Sequence, residues 1–451
     1  MFKKEFVWGA ATSAYQIEGG AYEDGKGISV WDEFCKQEGR VYQGHTGEVA
    51  CDHYHRYKED VALMGQMGLK AYRFSISWTR ILPDGVGRVE PRGVQFYRDL
   101  VAELKKYGIT PYATLYHWDY PAALMRQGGW LNPASPAWFE EYVRVAAREL
   151  GDCIQNFITF NEPQMMFGNT FVTTNLAPGV RMADGDVIRM IHNMLLAHGR
   201  AVRALRELVP GARVGVTHCS DPAIPQTGKA AEIEAARKFY FRAGEGMEEL
   251  AFGLSWYSDP MMLGSYPADG LAQFGQYLPR GWQKDMQTIC QPLDYYGHNI
   301  YSGVPVMQNA AGEAVPRPRP AGWPKTALGW YIDPDALYWA AKFLYERYKT
   351  PVVITENGMG CHDVISLDGK VHDPNRTDYL HRYLLGLRRA AAEGADVMGY
   401  FAWSLLDNFE WAKGYDERFG LVYVDYATQR RVRKDSSYWY QTVIETNGES
   451  L

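Results

Sequence analysis

The chain has 451 residues, 46% hydrophobic and 22% charged, the make-up of a folded globular protein. A net charge of −6 and a pI near 6.0 argue against a nucleic-acid partner, and no run of about 18 apolar residues offers a membrane span. Cys35, Cys51, Cys153, Cys219, Cys290 and Cys361 are scattered without CxxC spacing, which fits free thiols better than disulfides or a zinc site; with no apolar leader at the N-terminus, the expected location is cytoplasmic.

Strand-like and helix-like stretches alternate from end to end, the pattern of a parallel sheet with crossover helices. The strands expected are residues 6–11, 71–75, 110–116, 156–161, 213–218, 295–301, 352–356 and 397–403. Between them, Phe96, Leu100, Val101 and Leu104 recur at helical spacing before Gly108. Ser135-Pro136 reads as cap and first position of a helix over 138–150. Residues 191–208 form a helix ending before Pro210-Gly211, and 337–348 one following Asp333-Pro334-Asp335. Arg430, Arg431, Arg433 and Lys434 read as a solvated strand-end turn. Eight strands alternating with helices is the count of a TIM barrel. An open doubly wound sheet is the alternative, disfavoured because no GxGxxG follows the first strand. No linker or low-complexity tract divides the chain, so a single barrel with elaborated βα loops is expected over residues 1–451.

Two segments carry the chemistry. Thr159-Phe160-Asn161-Glu162-Pro163 and Ile354-Thr355-Glu356-Asn357-Gly358 each run from strand-favouring residues to a glutamate and then to a chain-breaking Pro or Asn-Gly. Each glutamate therefore belongs at a strand's C-terminal end, where barrels place their active sites. Paired carboxylates in that position suit glycosidic-bond hydrolysis, which needs an acid and a base or nucleophile. Other strand ends offer sugar-binding groups: His117 and Trp118, Asn299 and Tyr301, Trp403, then Glu410 and Trp411, with Gln16 after the first strand. Amides, imidazoles and carboxylates serve sugar hydroxyls, and indole rings offer stacking faces.

These residues sit in longer runs that identify a family resemblance. The runs are residues 6–19 (Phe-Val-Trp-Gly-Ala-Ala-Thr-Ser-Ala-Tyr-Gln-Ile-Glu-Gly), residues 72–78, the two glutamate segments, residues 401–411 (Phe-Ala-Trp-Ser-Leu-Leu-Asp-Asn-Phe-Glu-Trp) and residues 418–421. Together they resemble the family 1 glycoside hydrolases, the β-glucosidase and β-galactosidase group, nearly end to end. The resemblance implies a TIM barrel and a retaining double displacement, with Glu162 as acid/base and Glu356 as nucleophile. It also implies that Arg73 and Tyr301 contact the nucleophile and that Asn161 holds the sugar 2-hydroxyl. Gln16, His117, Trp118, Glu410 and Trp411 are then expected on the remaining hydroxyls, Asn299 in the sugar site, Trp403 as its floor, and a cis peptide at Trp403–Ser404. No cofactor or metal is called for.

Relatives acting on 6-phosphosugars typically carry Ser at position 410 and Lys-x-Tyr near 417–419. Here Glu410 and Glu417 stand instead, and both repel a phosphate dianion. Free glucosides are therefore expected as substrates, with some galactosides or fucosides. Three positions depart from the family pattern: Leu176 for His, Tyr331 for Glu, and Ile300 for Tyr. With Met165, Met166, Phe167, Phe171 and Trp330 near the first two, an apolar leaving-group site is expected, centred on Trp330 and Phe167. The alternatives are a non-catalytic sugar-binding protein on the same barrel and a metal-dependent hydrolase using His53, His55, His117 and His298. The small-molecule partner is a glycoside or oligosaccharide; the oligomeric state stays open.

Overall fold

The computed structural model describes residues 2–451. Eight strands close into a parallel barrel: β1 Val7–Ala11, β2 Ala71–Ser75, β3 Thr110–Thr114, β4 Asn156–Asn161, β5 Arg213–Cys219, β6 Tyr295–Asn299, β7 Val352–Asn357 and β8 Val397–Trp403. Each pairs with its neighbours in chain order, and β8 closes on β1 through Val7↔Gly399 to Ala11↔Trp403. The strands are buried on both faces, as a parallel sheet covered by helices requires. Ala11, Ala71, Tyr112, Ile158, Tyr295, Val353 and Phe401 fill the interior, so the barrel is a packed core. A second, larger apolar layer lies between strands and helices.

The outer helices are α1 His53–Gln66, α2 Pro91–Lys106, α3 Ser135–Leu150, α4 Asp184–Leu208, α5 Trp282–Ile289, α6 Ala336–Tyr348, α7 Pro374–Ala392 and α8 Asp435–Glu445. In α2 the expected spacing holds: Val94, Phe96, Tyr97, Leu100, Val101 and Leu104 are buried, and Pro91 opens the first turn. Two boundaries differ from expectation. Ser135 lies inside α3 rather than capping it; its hydroxyl donates to the Trp130 carbonyl at 3.2 Å, while Asn132 Oδ1 accepts from the Ala134 amide at 2.9 Å. Helix α4 starts at Asp184, earlier than 191, on a turn carrying Asp184 and Asp186. Acidic groups favour a helix N-terminus through its dipole without adding to an apolar stripe.

The basic run at 430–434 is also not a solvated turn. Residues Arg430–Arg433 pair antiparallel with Val422–Asp425. Arg431 donates to buried Asp60 at 2.8 Å, and Lys434, fully buried, reaches Asp363 at 2.5 Å and Asp407 at 2.6 Å. Only Arg430 is exposed. All six cysteines are unpaired thiols, and no described helix is long and apolar enough to cross a membrane.

Candidate active site

Strands β4 and β7 carry the two glutamates, and both strands are irregular where the glutamates emerge. The β4–β5 register shifts between Ile158 and Asn161, and the β6–β7 register between Ile354 and Glu356. Such bulges re-aim a side chain at a barrel rim. Glu162 takes the left-handed conformation at φ 44°, as do Trp118 at 79° and Trp411 at 50°. Left-handed backbone is costly for residues with a Cβ, so at these three cavity-wall positions the surrounding structure must hold the side chain in place. The Asn357-Gly358 step is not a turn: Asn357 is still in the strand, and a Cβ on Gly358 would sit 1.8 Å from the Trp403 carbonyl oxygen. Glycine there allows β7 and β8 to approach at the site.

The two carboxyl groups have unlike partners. Glu356 is gripped on both oxygens: Arg73 donates to Oε1 at 2.5 Å and the Tyr301 hydroxyl to Oε2 at 2.7 Å. Glu162 accepts one bond, from Asn299 Nδ2 at 2.7 Å. Arg73 also donates to Asn161 Oδ1 at 2.6 Å, and Thr355 donates to Asn299 Oδ1 at 2.7 Å, fixing both amide orientations. Asn161 Nδ2 is therefore the donor toward His117 Nε2 at 3.0 Å, which leaves the imidazole proton on Nδ1. Burial, reinforced by the Arg73 charge, holds His117 neutral. Its Nδ1 has no partner within the protein.

Electrostatics follow from these contacts. Burial first, and the negative charge of Glu356 second, push the Glu162 carboxyl up to about 8. Burial also raises Glu356, but the Arg73 charge and the bonds from Tyr301 and Arg73 oppose it. One proton shared across this pair therefore resides on Glu162. Glu410 is pushed up to about 8 by burial and then by Glu356, with Glu417 close enough to contribute. Its Oε2 accepts weakly from Gln16 at 3.3 Å and Asn408 at 3.4 Å.

These groups line a cavity of about 860 Å³. His117, Trp118, Glu162, Asn299, Tyr301, Glu356, Trp403, Glu410, Trp411 and Trp330 are all on its wall, so the structure brings together most of the residues expected there. The Trp403 and His117 rings stack at 6.0 Å, and Trp118 leans on Trp411 at 4.7 Å. The Trp403–Ser404 peptide is cis. Arg73 and Asn161 are buried just beneath the wall. Gln16 is not on the wall but stands fully buried behind Glu410. Phe167 does not reach the cavity at all. It is fully buried against Phe171 and Tyr257, because the short helix after Glu162 turns it toward the core. Met166 and Phe171 are core residues too, while Met165 and the two departures Leu176 and Tyr331 line the outer cavity. The histidines weighed as metal ligands are dispersed: His53 is paired to Asp60, His55 to Asp52 on the surface, and His298 to Ser220.

One wall went unforeseen. Ser220, Asp221, Phe239, Arg242, Glu249 and Phe252 close the outer cavity. They belong to the long interval from Cys219 to Tyr295, which carries several extra helices beyond what a crossover needs. That length was the available signal. Asp221 lines the cavity, and desolvation by the surrounding protein, with the Asp333 charge second, raises it to about 6.

A closed (β/α)8 barrel whose mouth holds two carboxyl groups in opposed surroundings defines the class of two-carboxylate glycosidases. The chain matches the profile of Glycosyl hydrolase family 1 over residues 1–449, and it belongs to that family. Beta-glucosidase A of Thermotoga maritima is 44% identical over 451 residues, spanning 99% of this chain and 98% of its own. A 1,4-beta-D-glucan glucohydrolase of Thermotoga neapolitana is 42% identical, with 99% of each chain covered. The solved structure of the T. maritima β-glucosidase in complex with deoxynojirimycin superposes with a TM-score of 0.90 at 44% identity, covering 99% of both chains.

Proposed function

We propose that this protein is a retaining β-glucosidase, a single catalytic domain that releases terminal non-reducing β-D-glucosyl residues through a covalent glycosyl-enzyme. The observation that carries the assignment of roles is the asymmetry between the two glutamates. Glu356, held by Arg73 and Tyr301, stays charged and attacks the anomeric carbon. Glu162, with a single neutral partner, keeps its proton and passes it to the glycosidic oxygen as that bond breaks. Once Glu356 is esterified, its charge is gone and the pKa of Glu162 falls. Glu162 then takes a proton from water, and the water oxygen displaces Glu356 from the anomeric carbon. Two inversions give net retention.

Asn161 is oriented by Arg73 and Asn299 to hold the 2-hydroxyl. The Nδ1–H of His117, the Glu410 carboxyl, Trp118 and Trp411 serve the other hydroxyls over the Trp403 floor. Gln16 contributes by holding Glu410. Trp330 and Met165 flank the leaving group. Galactosides and fucosides are accepted as secondary substrates, whereas a 6-phosphate would meet the Glu410 carboxyl where it needs a cation. A non-catalytic sugar-binding role has no support: both carboxyls and their partners are in place, and the matched relatives are named as enzymes. A cytoplasmic location fits the six free thiols.

The test is initial rates on p-nitrophenyl β-D-glucoside, β-D-galactoside, β-D-fucoside and 6-phospho-β-D-glucoside, with proton NMR of the first-formed sugar. Glucoside cleavage with the β-anomer released first is the expected result. First release of the α-anomer sinks the retaining mechanism, and preference for the 6-phosphate sinks the substrate assignment.

A further inference from the structure

A second depression lies beside the mouth of the catalytic cavity. It is a groove of about 680 Å³ lined by residues 316–323, Lys325 and Tyr331. Its wall combines three cations, Arg317, Arg319 and Lys325, with the Trp323 indole and three prolines, Pro316, Pro318 and Pro320. Proline fixes φ and reduces the freedom of the chain, so this wall is stiff for an irregular segment.

Tyr331 belongs to both cavities. The Arg319 guanidinium lies over its ring at 3.9 Å and the Lys325 ammonium at 4.5 Å. Arg319 is further anchored to Asp333 at 2.6 Å. Among the described residues, Arg317 and Lys325 have no carboxylate partner. Aromatic residues lead from this groove toward the reacting centre. Trp330, next to Tyr331, packs on Tyr301 at 5.3 Å, and the Tyr301 hydroxyl bonds Glu356.

The two depressions differ in charge. The inner one is lined by Glu162, Glu356, Glu410, Asp221 and Glu249 with Arg242 as its single cation, and Glu162 and Glu410 keep their protons; the outer one presents Arg317, Arg319 and Lys325 and no carboxylate. A ligand that spans both is neutral at its sugar end and negative at its far end. We propose that the groove binds the distal, anionic end of an extended leaving group, so that the enzyme favours β-glucosides of aryl acids long enough to carry a carboxylate past Tyr331. The indole face of Trp323 suits an aromatic spacer, and Arg317 and Lys325 take the carboxylate. This rests on the β-glucosidase reading.

The probe is a non-hydrolysable thioglucoside of a biphenyl-4-carboxylic acid, compared with its neutral carboxamide, by titration calorimetry. The expected result is that the acid binds about 5–10-fold more tightly than the amide at low salt, the scale of one or two exposed charge pairs. The preference falls toward unity in about 0.5 M salt. In the Arg317→Ala/Lys325→Ala double variant the ratio also falls to about one, with the amide as internal control. Equal binding of acid and amide by the wild type overturns the proposal, as does a preference that survives the double substitution. Titration needs no turnover, so failure to cleave p-nitrophenyl glucoside sinks the activity assignment while the calorimetric ratio still decides this one.

Discussion

At the scale of single residues, the two glutamates differ in what they hold rather than in what they are. Arg73 and Tyr301 each bond one oxygen of Glu356, and Asn299 alone meets Glu162. Truncating each therefore leaves a different defect. Glu356→Ala loses nearly all turnover, and azide in place of the carboxylate restores part of it with an α-glycosyl azide as product. Glu162→Ala, rescued by azide on a substrate with a good leaving group, gives the β-azide. Finding the anomers exchanged reverses the roles. The proton on Glu162 has a pH signature as well. A general acid works only while protonated, so kcat/KM declines as pH rises through about 8, where Glu162 ionises in the free enzyme. A basic limb that remains at the same pH in Glu162→Gln, measured on an activated aryl glucoside, argues that another group controls it. The same residue scale shows why some site members were legible in the sequence. A glutamate between a strand and a proline announces its position, and so do His117-Trp118 and Trp403. Phe167 does not, because the direction of a side chain on a one-turn helix depends on how that helix packs.

At the scale of elements, the strands were legible to within one or two residues because a buried parallel strand is a short β-branched or aromatic run with a sharp end. Helix starts were less so. The first turn of α4 is polar, and nothing in an apolar stripe extends to Asp184. The run from Arg430 to Lys434 escaped the sequence for a related reason: charge pattern reports the type of side chain, not the carboxylates that distant segments bring to it. Its hairpin strand delivers Lys434 to Asp363 and Asp407, and Asp407 also takes Arg418 and the Gly420 amide. This buried network ties the chain terminus to the loop that carries Glu410 and Trp411. Removing one partner of a buried pair costs about 3–5 kcal/mol, because the remaining charge stays buried. Lys434→Met is expected to lose that much stability and several degrees of Tm. Arg430→Met, exposed on the same strand, is expected to stay within about 0.5 kcal/mol. Equal effects from the two substitutions, read by scanning calorimetry, contradict the distinction drawn between buried and solvated members of the run.

At the scale of the whole molecule, the barrel buries acids and imidazoles together, and their linkage to folding runs in opposite directions. Burial pushes Glu162, Glu410 and Asp119 up to about 8 and Asp221 to about 6. Each binds a proton in the folded state that the unfolded chain has already released. Stability from these groups therefore falls as pH rises from about 4 to their folded pKa values. Burial lowers His198 and His298 to about 3 and depresses His117, His218 and His192. The unfolded chain binds protons there that the folded one does not, so their contribution rises with pH up to about 6.5. Below about 4, the depressed carboxyls of Asp60, Asp363 and Glu393 add a further rise with pH. The sum is a plateau in Tm between about pH 4.5 and 6.5, where acids and imidazoles offset each other, with an acid shoulder below it. Above about 6.5 the raised carboxyls titrate, as do His55 and His372, which their bonds to Asp52 and Asp435 raise, and Tm declines. Glu162→Gln and Glu410→Gln keep the acceptor oxygen and remove the titration, so each flattens that decline and both together flatten it more. A wild-type Tm that holds constant from pH 6.5 to 8.5 defeats the argument. If it stands, the alkaline loss of activity and the alkaline loss of stability share one origin. The barrel mouth keeps a proton on a buried acid because the reaction spends it, and the fold weakens where water can take that proton away.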